Sequence, residues 1–176
     1  MSAGMASRLG EDSNPSQELL AKHIHTLDAS LQALFHGPLS TRHRLEIARA
    51  GWTNTNLFIA WLRGSEHFTL RHCDVERTLP AHGFLKGLES GIGCLEERLN
   101  LLTKASRTIA ADVVIAYITS SGLCPGVWYD RILQCSSMNY AEAATSMLPI
   151  CRHSNGKAWT SHYFRTTYLW PSLHEQ

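Results

Sequence analysis

The segment "IAYITSSGLCPGVWYDRIL", residues 115–133, constrains this chain more than any other. It opens and closes on apolar and aromatic residues, and between them stand Ser120, Ser121, Gly122, Pro125 and Gly126. Glycine weakens a helix interior through backbone entropy, and proline through a missing N–H and a ring clash. Either a helix ends here and restarts, the small residues forming a loop within an ordinary bundle, or the helix is kinked so that its backbone lies against something flat.

The flanking pattern is helical. Leu20, Ile24, Leu27, Leu31, Leu34 and Phe35 recur every three or four residues and "HGP" closes the series, which predicts an amphipathic helix over 16–36 with Ser16 as its cap. Ser40 or Thr41 caps the next segment, "RHRLEIARAGW", which runs through "TNTN" into "LFIAWL" as one bent helix or two. Phe84 or Leu85, Leu88, Ile92, Leu95, Leu99 and Leu102 form the longest stripe and predict a helix over 80–103, with Pro80 in its first turn. "IAADVVIAYI" has the β-branched content of a strand, but no hairpin turn follows it and no alternating segment precedes it, so the prediction is a helix from 110 to 133. Residues 138–148, ending before Pro149, and "GKAWTSHYFRTTYLW" complete the helical set. Residues 1–15 read as a flexible tail, and 16–176 as a single all-α helical bundle.

Composition narrows the function classes. Lys+Arg 16 against Asp+Glu 15, without a basic run, gives no electrostatic footprint for nucleic acid or an anionic membrane. No apolar run reaches membrane-span length and the polar start lacks a signal-peptide centre, so the expected address is the cytoplasm. Cys73, Cys94, Cys124, Cys135 and Cys151 form no CxxC pair, and read as reduced thiols rather than a disulfide framework or a zinc site.

Ten histidines invite a metal reading, but His23 and His25 point in different directions on a helix, and neither HExxH nor ExxH occurs. GxSxG, P-loop and dinucleotide fingerprints are absent, and "GLESGIG" has no strand before it. What remains is an N-terminal helix carrying His25 and a second helix with a small, glycine-containing middle, an arrangement suited to a flat ligand between two helices.

On these residues the sequence resembles the heme oxygenase family, in its bacterial, biliverdin-producing branch. "KHIHTLDASL" followed by "GPLSTRHRL" is similar to the family's proximal helix and the helix start after it. "YITSSGLCPGVWYDRIL" is similar to its distal helix, with Tyr117, Ile118, Gly126, Arg131 and Leu133 in register, and "NGKAWTSHYF" to a later Gly-x-x-Trp-x-x-Phe helix. Ser120 and Ser121 stand where Glu-Gly is usual, and Pro125 where glycine is usual.

The resemblance implies a heme-oxygenase-like bundle in which the 16–36 and 110–133 helices sandwich heme, with the 80–103 helix behind them. His25 is then the proximal iron ligand, preferred over a more exposed His23. Ser121, Gly122 and Gly126 form the distal wall at which oxygen is handled, and Tyr117 and Arg131 contact the heme. The implied reaction is oxidative cleavage of heme to biliverdin with release of carbon monoxide and iron. It uses dioxygen and an electron donor such as a ferredoxin or reductase, and heme is both cofactor and substrate. Two alternatives stand beside it: a non-catalytic heme or tetrapyrrole carrier or sensor, and an interaction module without a cofactor.

Overall fold

The amphipathic stripe beginning at Leu20 folds as predicted into helix α1 (Pro15–Phe35), which buries Ile24, Leu27 and Leu31 and leaves Leu20 and Leu34 half exposed. The computed structural model describes residues 15–59, 64–78, 96–101, 111–116, 119 and 121–171. The tail assigned to 1–15 lies outside these up to residue 14, and Pro15 opens α1. Ser40 accepts a hydrogen bond from the His43 backbone N–H (3.3 Å) and caps α2 (Thr41–Ile59), a single helix through "TNTN".

Helix α2 is the axis of the molecule, with α1 and α4 (Pro125–Cys135) both packed on it. Its buried face is unusually polar: Arg49, Thr53, Asn54, Thr55 and Asn56 are buried with Ala48, Ala50 and Trp52. Asn54 donates to the Ile24 carbonyl (3.0 Å) and so ties α2 to α1. A one-turn helix α3 (Gly64–His67) and a 3₁₀ turn (His72–Asp74) follow, the latter fixed by Arg71, whose backbone and guanidinium both bond the Asp74 carboxylate. Helix α5 (Tyr140–Thr145) carries a reciprocal capping box between Asn139 and Glu142. The chain ends its described course in α6 (Ser161–Phe164), which widens into a π-helical turn over Arg165–Leu169.

The body is therefore mostly helical, as expected, but two helix predictions are corrected. Strands β1 (Val75–Thr78), β2 (Glu96–Leu101) and β3 (Ala111–Ala116) form an antiparallel sheet in the order β1-β2-β3, with Val75 opposite Leu99 and Leu99 opposite Val113. Within the predicted 80–103 helix, residues 96–101 are thus a strand, and the rest lies outside the described residues. The predicted 110–133 helix is a strand over 111–116 and a helix only from Pro125. Leu99 and Leu101 satisfy a period of two as well as the helical stripe does, and the β-branched run Val113–Ile115 supplies the partner strand that makes the extended form pay.

Candidate functional site

The break at 119–126 is a turn between strand and helix. Thr119 donates to the Leu123 carbonyl from both its hydroxyl (2.8 Å) and its backbone (3.1 Å), and Gly122 adopts φ +85°, open to glycine at no steric cost. Ser121 is exposed, its hydroxyl 2.7 Å from that of Thr119. Pro125 opens α4, where its missing N–H costs nothing, and Gly126 is buried in the same first turn. Tyr117 and Ser120 lie outside the described residues.

The seam between α1 and α4 is closed by side chains. The indole N–H of Trp128 donates to Asp28 (2.8 Å), both residues being buried, and Phe35 packs edge-on to the same indole. Arg131 locks the seam from outside: its guanidinium lies 4.5 Å from the Trp128 ring centroid and 4.6 Å from that of Phe35, and it donates to Gln32 (2.6 Å) and to His36 Nε2 (3.2 Å). A close backbone approach occurs at Gly51 of α2, where an added Cβ would overlap the Trp128 ring.

His25 is exposed on α1, whereas His23 is half buried with its Nε2 screened from solvent and without a partner, the reverse of the expected order of exposure. Of the residues assigned to heme, His25 faces solvent, Ser121 and Gly122 sit in a turn, and Arg131 lies over Trp128, which fills the seam. Among the described residues no three His, Cys, Asp or Glu side chains converge to hold a metal ion, and no helix is long and apolar enough to cross a membrane. The described cysteines Cys73, Cys124, Cys135 and Cys151 are free thiols, and Cys94 lies outside the described residues.

Two buried histidines organise the polar core instead. His67 Nε2 meets the Thr53 hydroxyl (2.9 Å), which in turn lies 3.3 Å from Cys151 Sγ. Burial pushes His67 down to about 3 and the Cys151 thiol up to about 12, so both stay neutral. His72, held at about 4 by burial and then by the nearby Arg152 and Arg49 charges, meets Arg152 Nη1 through Nε2 (3.4 Å) and the Tyr129 hydroxyl through Nδ1 (3.1 Å). A guanidinium only donates, so Nε2 is the acceptor, and Nδ1–H donates to Tyr129.

Tyr129 also lines the larger cavity, about 640 Å³, together with Cys73, Val75, Tyr140, Ala141, Ala143 and Ala144. A thiol and two phenols are among its polar groups, and the alanines of α5 make one wall of small side chains. Tyr140 is itself held by a hydrogen bond to the Asp130 carboxylate. A second cleft of about 180 Å³, between α1, α2 and the π-helical turn, is lined almost wholly by apolar residues such as Ile24, Leu57, Phe58 and Phe164.

Sequence reasoning missed this site. Tyr129 stood unremarked in the segment similar to a distal helix and Cys73 read only as a reduced thiol, and the pairing of His72 with Tyr129 joins positions 57 residues apart with no local signal. Comparison with protein-family models, with curated proteins and with solved structures gave no match.

Proposed function

We propose that this chain is a binding domain for a flat conjugated ligand of the tetrapyrrole type, held in the cavity beside Tyr129 and not turned over. The observation that carries the reading is the anchoring of Tyr129: buried, fixed by a neutral His72 and lining a cavity of about 640 Å³. That volume falls within the range of small-molecule sites, which pair mostly apolar walls with a few fixed polar groups. Cysteine and tyrosine are both residue types that ligate heme iron, and the α5 alanines leave room for a planar face.

Heme oxygenase activity is the second reading, supported by the ordered resemblance of residues 18–170 to that family. It requires α1 and α4 to part around Trp128 so that His25 reaches the iron. Hemin with a visible spectrum, followed by reductant in air, orders the readings. A stable complex lost in Ala144→Trp, which fills the cavity from an exposed position, and kept in His25→Ala supports the binding domain. Loss of the Soret band with biliverdin-like absorbance, abolished by His25→Ala, supports the oxygenase and overturns the first reading. An unchanged hemin spectrum rejects both and leaves the interaction module.

A further inference from the structure

Arg49 and Arg152 are neighbouring cations that both act on His72, and among the described residues no carboxylate is bonded to either. Arg49 is 6% exposed; its Nη1 donates to the Arg152 carbonyl (2.9 Å), while its Nε, also buried, has no partner. Arg152 is half buried, and its Nη1 donates to the Pro149 carbonyl (2.7 Å) and meets His72 Nε2. Glu46, one turn before Arg49 on α2, acts on it only through space, and the other groups acting on it are Arg152 itself, the Cys151 thiol and the Tyr168 phenol. Guanidinium groups do not shed their protons in proteins, so burial leaves two positive charges against the single Glu46 carboxylate, which bonds neither. Leaving a charge unpaired in the interior is unfavourable, and an unsatisfied buried donor points to a missing ion or water.

We propose that Arg49 and Arg152 form a binding site for a phosphate-type oxyanion, entered from the half-buried Arg152 side. The N–H fork of a guanidinium matches phosphate oxygens, and a dianion offsets two positive charges where a carboxylate offsets one. This inference does not depend on the Tyr129 cavity.

Thermal unfolding of the full chain, in chloride and in low-millimolar inorganic phosphate at equal ionic strength, tests it below the concentrations at which phosphate stabilises proteins generally by exclusion. The expected result is a rise in Tm that saturates with phosphate. In Arg152→Met, at a half-buried position, the half-saturating concentration should rise by more than about tenfold. Arg49→Met should lose the response and unfold no earlier than the parent in chloride, because it removes an unpaired buried charge. A parent protein without a saturable rise overturns the proposal, as does an undiminished rise in Arg152→Met.

Discussion

Gly51 lies against the indole face of Trp128, closer than any side chain would permit. Trp128 is fully buried and tied to Asp28, so it has no room to yield. Gly51→Ala should therefore cost about 1–3 kcal/mol through overpacking, although the same change in an open helix would gain about 1 kcal/mol. Urea unfolding gives the sign directly: a variant more stable than the parent would mean that α2 and α4 are not in this contact.

The Asp28 carboxylate is the acceptor for the buried Trp128 N–H. Asp28→Ala should cost about 1–3 kcal/mol by stranding that donor, and Asp28→Asn, which keeps an acceptor, should recover most of it. Equal losses in the two variants would show that the carboxylate serves packing rather than this bond.

Acid should destabilise the fold early. His67 and His72 sit at about 3 and about 4 in the folded state, below the ordinary 6.5, so the unfolded chain takes up protons first as pH falls. Their contribution is complete above about pH 6.5 and is lost as pH falls toward 4 and then 3, each histidine steepening the fall by up to about 1.4 kcal/mol per pH unit. Urea midpoints measured between pH 7 and 4.5 should flatten in His67→Gln and in His72→Gln. Slopes matching the parent in both variants would remove the buried histidines as the cause.

Cys151 should be chemically silent in the native protein. Its thiol is 2% exposed and is raised to about 12 by burial, whereas the thiolate is the reactive form. Iodoacetamide labelling mapped by mass spectrometry should modify the half-buried Cys73 in the folded chain and reach Cys151 only in denaturant. Labelling of Cys151 at the rate of Cys73 would contradict the packing around Thr53.

Local pattern revealed α1, the Ser40 cap, α2, α5 and the C-terminal helix, because each is set by spacing and capping within a few residues. It misread 96–101 and 111–116, whose form depends on pairing with one another across the sheet. Arg131 and Gly126 are singled out by the resemblance, and α4 does carry both, but the partners of Arg131 include Phe35, Trp128, Gln32 and His36 of the helical seam. The polar stripe of α2 was hardest to read. Threonine and asparagine in a helix ordinarily face water; here the distant Ile24 carbonyl, His67 and Cys151 hold Asn54 and Thr53 inward, Thr55 bonds carbonyls of its own helix, and the buried Asn56 amide has no partner among the described residues.

The long-range bonds of the core have a consequence for biosynthesis. Asp28 to Trp128, Arg49 to Arg152 and Thr53 to Cys151 span 100, 103 and 98 residues respectively. At a translation rate of about 5–20 residues per second, the first two helices leave the ribosome and wait several seconds, their inward polar groups still hydrated, for the segment that completes them. A nascent chain arrested before residue 150 should accordingly be protease-sensitive throughout, and resistance should arrive in one step with the last quarter of the sequence.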